Sequence, residues 1–313
     1  MTGRVSIGVL GGTSWIANQA VIPAIHDSQR ATLGLVGSRS GSVSYADVLS
    51  DPAAEAVYIA LPNDMHHEWV VAAANAGKHV LCEKPLGIAT VDAQAMVHAC
   101  DVAGVVLAEA YMTPFHPLSE AIDTCLWSGE LGEIRHIDAA FTFRLAPGDN
   151  YRWSGARGGG ALLDVGIYCL SPIITAMDGP PSEVDAHVTR SGTVDATTAA
   201  WLRWANGATA SVVTSIELPE RQALLVCGTG GTLAVDRPFT PGRADAPFTI
   251  TRPDGQVEHR SAKGGDCYLA MVDAFAAAVR GAAPWPRPVV DSIVMAALCD
   301  RIRAAATDHG AVA

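Results

Sequence analysis

The chain has 313 residues, 49% hydrophobic and 17% charged, so it is neither disordered nor fibrous and is long enough for two domains. Its formal net charge of −11 repels phosphate backbones, so nucleic acid is not an expected partner, although a local pocket can still be positive. No apolar run reaches the roughly 18 residues of a membrane span, no signal core follows the first residues, and the seven cysteines are widely spaced without a CxxC pair; a reduced, cytoplasmic protein with no membrane partner and no structural zinc is expected.

The first 115 or so residues alternate short apolar strands with helical patterns. Strands are expected at 5–10 (VSIGVL), 31–38, 56–61, 79–84 (HVLCEK) and 105–110, and helices at 15–27, 44–51, 66–77 and 89–104. Continuous apolar strands between helices imply a parallel sheet covered on both faces. A connecting helix and turn follow over 117–134. Longer alternating segments then run over 135–145, 182–191, 197–216 and 221–237, with hairpin chemistry at Asn206-Gly207 and Gly228–Gly231. This half is expected to be an α+β domain built on a large, mostly antiparallel sheet. Helices at 160–177 and 267–280 are expected to cover one of its faces, with a last helix near 290–307. The domain boundary is placed near Pro117, giving 1–117 and 118–313.

The first strand leads into VLGGTSWIANQA. A glycine-rich turn between a strand and a helix lets backbone N–H groups approach a pyrophosphate at the helix N-terminus. Gly12, Ser14 and Ala17 fall at the three positions of G-x-G-x-x-G, with small residues in place of two glycines, and Gly11, Gly12, Thr13, Ser14, Trp15 and Ile16 are the candidate phosphate-loop residues. NAD-selective sites place an acidic residue at the end of the second strand; Ser38 and Arg39 stand there instead. A hydroxyl and a guanidinium suit a 2′-phosphate, so NADP is favoured over NAD. Ligands of open α/β sheets bind beyond the carboxyl ends of the strands. There the loop, Arg39, Leu61-Pro62-Asn63 and Glu83-Lys84-Pro85 are expected to converge. Pro85 holds the preceding residues extended and stops the strand.

The combination ALPNDMHHEW, GKHVLCEKPLG and RWSGARGGGALLDVGIY resembles the glucose–fructose oxidoreductase/inositol dehydrogenase (Gfo/Idh/MocA) family, and the resemblance runs nearly the whole chain. Within the family it is most similar to the dihydrodiol dehydrogenase, xylose dehydrogenase and keto-sugar reductase branch. The resemblance implies an N-terminal Rossmann domain and an NADP(H)-dependent oxidoreductase of sugar or polyol-like substrates. It implies that Lys84 touches the reacting oxygen and the cofactor ribose, that Tyr168 is the acid/base group and that Asp164 supports them. It places His66 and Glu83 along the nucleotide crevice and Arg152 and Trp153 near the substrate. It also implies a homo-oligomer, dimer or tetramer, through the C-terminal sheet. The residues agree with this chemistry. Asp164 and Tyr168 are four apart and share a helix face. A phenol titrates near 10, and a nearby ammonium brings such a group toward working pH.

Three departures stand out. Thr113 and Pro114 replace the branch's Tyr-Arg pair, the glycine loop carries one extra residue and the bulky Trp15, and the segment after Arg39 has lost most of a helix. Two other classes of function remain as alternatives: a non-catalytic NADP-binding sensor or regulatory protein, with which the Thr113-Pro114 change is compatible, and a glycosidase using bound NAD, which the resemblance implies from a side branch of the family. His66 and His67, flanked by Asp64 and Glu68, are not expected to hold a metal, because adjacent side chains on a helix diverge.

Overall fold

The computed structural model describes residues 3–177 and 179–308. By contacts the chain divides into two units, Met1–Met112 with Cys267–Ala296, and Thr113–Asp266 with Ala297–Ala313. This grouping differs from a single boundary at Pro117 by the segments 113–117 and 267–296.

The first unit is built on β1 (Val5–Leu10), β2 (Ala31–Gly37), β3 (Ala56–Ile59), β4 (His79–Glu83) and β5 (Leu107–Ala110). All pairings are parallel, in the order β2-β1-β3-β4-β5. Strands β3 and β5 are buried throughout, as apolar runs covered on both faces must be. The connecting helices are α1 (Ile22–Asp27), α2 (Tyr45–Ser50), α3 (His66–Asn75) and α4 (Thr90–Ala103). Leu10, Val57, Ile59, Val80, Val70 and Met96 form one buried cluster between sheet and helices. Helix α2 has only six residues and is held at its start by a capping box. Asp47 N–H donates to Ser44 Oγ at 3.1 Å, and Ser44 N–H donates to Asp47 Oδ2 at 2.8 Å. The cap satisfies two orphan donors of a helix too short to hold itself.

The second unit opens with α5 (Pro117–Trp127). Its sheet contains β6 (Ile134–Thr142), β7 (Glu183–Ser191), β8 (Val194–Arg203), β9 (Thr209–Ser215), β10 (Arg221–Gly228), β11 (Gly231–Val235), β12 (Ala246–Thr251) and β13 (Val257–Ala262). Helix α6 (Ile167–Ala176) lies on β6 and β9. The order is β13-β12-β11-β10-β6-β9-β8-β7, with a short β14 (Ala306–Asp308) beyond β7. Among the described residues of this sheet, only β6–β9 and β7–β14 pair in parallel. Burial alternates along β8 and β9, so one face is covered and the other faces outward. The β8–β9 hairpin turns at Asn206-Gly207, where Gly207 has φ +84°. Hairpin β12–β13 had no counterpart among the expected elements, although its Pro253-Asp254-Gly255 turn, with Gly255 at φ +87°, carries ordinary turn chemistry.

Helix α7 (Cys267–Val279) corrects one expectation. It packs on α1 and β2 of the first unit, not on the second sheet. Ser28 Oγ donates to Asp273 there, and just beyond the helix Arg280 forms two bonds to the Glu55 carboxylate. Helical periodicity says that one face is buried; it does not say which sheet receives it. Helix α8 (Val289–Ala305) gives its first half to the first unit and its second half to the second.

Candidate active site

In the first unit the sheet order reverses between β1 and β3, the switch point where such sheets bind ligands. The glycine loop opens there. Gly11 has φ +108°, and a Cβ on it would lie 2.4 Å from the Ala60 carbonyl oxygen. A Cβ on Gly12 would lie 2.6 Å from Val36 Cγ1. Both positions therefore need glycine, the first for its conformation and both for space. Gly11 and Gly12 N–H groups donate to Gly37 O at 3.1 and 2.9 Å, tying the loop to the end of β2. Asn18 Nδ2 donates to Gly12 O and Ser14 O, each at 2.8 Å, and fastens the loop to its helix. Ala17, at the third glycine position, is fully buried, which lets the helix approach the sheet. Trp15 is 75% exposed. The helix continues through a π turn at Ala17–Val21 into α1.

The other expected groups of this half follow the neighbouring strands. Ser38 and Arg39 follow β2; Ser38 N–H donates to Val43 O at 3.0 Å, and Arg39 is exposed. Leu61, Pro62 and Asn63 follow β3, with Leu61 and Asn63 buried. Lys84 follows β4 and is half-buried. Glu83 turns into the sheet, where its Oε1 accepts from Tyr58 OH at 2.6 Å. Burial and then the Glu83 charge push the Tyr58 phenol well above its usual pKa, so Tyr58 remains a donor.

His66 does not line a crevice as expected. Its side chain is fully buried, and each ring nitrogen faces a main-chain carbonyl. Nδ1 lies 2.9 Å from Pro85 O and Nε2 2.9 Å from Leu61 O. Burial lowers its pKa, opposed by the backbone carbonyls, so the ring is neutral and its one N–H donates to only one of them. Periodicity marks a buried helix face but does not say whether a buried histidine meets ligand or main chain.

Glu109, at the end of β5, was missed from sequence. Its Oε1 accepts from Leu86 N–H at 2.8 Å and its Oε2 from Ser292 Oγ at 2.7 Å, with Arg287 Nη1 at 3.7 Å. Arg287 also lies over the Tyr111 ring, 4.7 Å from its centroid. A carboxylate with 4% exposure is tolerated because these partners surround it.

The second unit holds the other half of the candidate residues. Asp164 lies in a π turn, Leu162–Gly166, that runs into α6, and Tyr168 is the second residue of α6. π turns recur at functional sites. Arg152 Nε donates to Asp164 Oδ2 at 2.8 Å. Burial works against the Arg152 charge, but Asp164 and the neighbouring tyrosines outweigh it and raise its pKa above the usual value. Tyr168 is buried against Phe141 and Phe239, with ring centroids 5.3 and 6.2 Å away. Phe141 and Phe239 stack on each other at 5.7 Å. Trp153 Nε1 donates to Ala146 O at 3.1 Å. Thr113 is buried and donates to Phe239 O at 2.9 Å, so this departure anchors the aromatic wall beside Tyr168.

The triple glycine has three separate causes. Gly158 takes a left-handed φ of +69° to end a short turn. A Cβ on Gly159 would lie 2.4 Å from Arg152 O. Gly160 has φ +108°, and its Cβ would lie 1.9 Å from Asp195 Oδ1. Asp195 was also missed from sequence; it arrives from β8, and its Oδ2 accepts from Leu162 N–H at 2.8 Å and from Thr198 Oγ1 at 2.7 Å. Burial raises its pKa. It thus holds the first turn of the helix that carries Asp164 and Tyr168. Gly160→Ala is expected to cost about 2 kcal/mol of stability, read as a lower melting temperature. A melt equal to that of the wild type would mean that Asp195 yields without cost.

Comparison with known proteins reads both units. Residues 13–111 match the model of an oxidoreductase family with an NAD-binding Rossmann fold, and residues 120–234 match the GFO/IDH/MocA C-terminal domain. The chain belongs to the GFO/IDH/MocA family. It is 36% identical, over 87% of this chain and 88% of the relative, to D-xylose 1-dehydrogenase (NADP(+)) 2 of Haloferax volcanii. It is 32% identical, over 91% of each chain, to the dTDP-3,4-didehydro-2,6-dideoxy-alpha-D-glucose 3-reductase of Saccharopolyspora spinosa. Its fold matches the crystal structure of a 3-ketoreductase from Actinomadura kijaniata in complex with NADP and TDP-benzene. That match has a TM-score of 0.93 and 28% identity, over 99% of this chain and 100% of that one. These relatives lie in the branch to which the motifs pointed.

The GFO/IDH/MocA family implies a nicotinamide dinucleotide, and the first unit fits one. Its loop has glycine where no Cβ has room, its helix begins with N–H groups that lack intrahelical partners, and β2 ends in a hydroxyl and a guanidinium. The π turn at Ala17–Val21 closes i→i+5 bonds in place of i→i+4 and carries the helix from the loop into α1.

Proposed function

We propose that this chain is an NADP(H)-dependent oxidoreductase that interconverts a hydroxyl and a carbonyl on a sugar or polyol-like substrate. The observation that carries the reading is Lys84. It stands at the carboxyl end of β4, in the same sheet as a fitted glycine loop, with buried side chains holding the peptide groups around it. The names of the xylose dehydrogenase and the bound NADP of the 3-ketoreductase support the cofactor.

Gly11–Ile16 would hold the pyrophosphate and Ser38 with Arg39 the 2′-phosphate, with Leu61, Pro62 and Asn63 beside the nucleotide. Bound nicotinamide supplies or accepts the hydride. Lys84 stabilises negative charge on the substrate oxygen, and Tyr168 delivers or removes its proton. Arg152 and Asp164 orient substrate hydroxyls as a charged pair, each limiting the other's freedom. Seven cysteines without a disulfide suit a cytoplasmic setting. We place a homo-oligomer contact on the outward face of the second sheet, where Trp201 is 43% exposed and stacks on His136 at 5.2 Å.

The test is titration with NADPH and NADH by tryptophan fluorescence, followed by a sugar and keto-sugar screen. Arg39→Ala is expected to weaken NADPH binding about 10- to 100-fold, the worth of a charge-assisted hydrogen bond, while NADH binding stays near the wild-type value. Equal loss for both nucleotides would place Arg39 elsewhere than at the 2′-phosphate. Binding of neither nucleotide by nucleotide-free wild-type protein would overturn the reading.

A further inference from the structure

The main chain around Lys84 is held on both sides by side chains that do not reach solvent. On one side Leu86 N–H donates to Glu109, itself held by Ser292. On the other, the His66 ring lies between two loops that follow adjacent strands. Pro85 O, one residue after Lys84, faces Nδ1, and Leu61 O, after β3, faces Nε2, both at 2.9 Å. The ring fills a site with no measurable exposure, so it meets no ligand. It spans the gap between β3 and β4, which pair in register up to Ile59 and Cys82 and then part.

We propose that His66 is a positioning residue for Lys84, its single N–H lying on Nδ1 and donating to the Pro85 carbonyl. The inference rests on Lys84 being the lysine that meets the reacting oxygen. Lys84 reaches substrate on a long flexible stem, so its ammonium is only as well placed as its backbone. Pro85 has no N–H, so its carbonyl is the one backbone polar group it can offer, and it belongs to the peptide whose Leu86 N–H is held by Glu109. The Nδ1–H of His66 fixes it to the start of α3.

Asparagine and glutamine separate the two carbonyls as partners of the single ring N–H. An Asn amide nitrogen falls near the imidazole Nδ1, and a Gln amide nitrogen near Nε2. His66→Asn therefore keeps a donor for Pro85 O, whereas His66→Gln keeps one for Leu61 O. Turnover at saturating cofactor, NADPH affinity and amide hydrogen exchange at Leu86 are measured on full-length wild type and on the Ala, Asn and Gln variants. The Ala and Gln variants are expected to lose about 100-fold in kcat, the effect of a misplacement near 1 Å. NADPH affinity should change by less than about threefold, and Leu86 exchange should rise at least about tenfold. The Asn variant should recover most of both losses. Rescue by Gln but not Asn would place the effect at Leu61 and overturn the proposal. So would an Ala variant with wild-type kcat and exchange. Parallel losses of kcat, affinity and melting temperature in all three variants would reduce His66 to a packing residue. Leu86 exchange needs no substrate. If the wild type turned over no sugar, the functional reading would fail while exchange still decided whether His66 holds the Lys84 segment.

Discussion

Lys84→Met is expected to lower kcat by about 10³-fold, the scale for removing a group that stabilises a developing oxyanion. Methionine keeps the length and apolar stem of lysine and removes only the charge and the donor. The half-buried position after β4 should accept it without a change in fold. NADPH should still bind, because its phosphates fall to the glycine loop and to Ser38 and Arg39, which follow β1 and β2. Stopped-flow turnover with a substrate found in the screen, alongside fluorescence titration of NADPH, measures both. Loss of turnover with retained binding fits the proposed role. Wild-type turnover would remove Lys84 from the chemistry. Loss of nucleotide binding equal to the loss of rate would make it a cofactor residue instead.

Tyr168→Phe is expected to lower kcat on the order of 10³-fold with little change in stability, the range for losing a positioned general acid or base. The ring packs edge-on against Phe141 and tilted against Phe239, and that packing survives removal of the hydroxyl. Melting temperature is therefore a clean control. The pH profile of kcat should also lose the limb that belongs to the phenol. A variant with unaltered kcat and profile would leave Tyr168 as a core aromatic and favour the reading as a non-catalytic NADP-binding protein.

The two halves of the candidate site were legible to different degrees. The Gly-Gly turn, Ser38-Arg39, Pro62-Asn63 and Glu-Lys-Pro could be placed from sequence because each directly follows a strand. In a parallel sheet all strand ends of one polarity lie at one edge. Arg152 was expected near substrate and is found ion-paired to Asp164, twelve residues on. Asp195 and Glu109 could not be read in this way. Each acts on a backbone N–H far along the chain, Leu162 for Asp195 and Leu86 for Glu109. No local pattern encodes such a pairing. A strand carboxylate reads as an outward, solvated residue until the partner it meets is known.

Local chemistry determined the alternation of apolar strands and helices, the turns at Asn206-Gly207 and Gly228–Gly231, and the stop at Pro85. Backbone preference and periodicity act over a few residues, and a sequence displays them directly. Tertiary structure alone decided that α7 packs on the first sheet, that His66 faces two carbonyls rather than a ligand, and that Gly160 must lack a Cβ to pass Asp195. These depend on which surfaces meet across tens or hundreds of residues. That choice is made by the packing of the whole core, where the same apolar face or buried polar group has several possible partners and only one leaves no void and no unpaired donor.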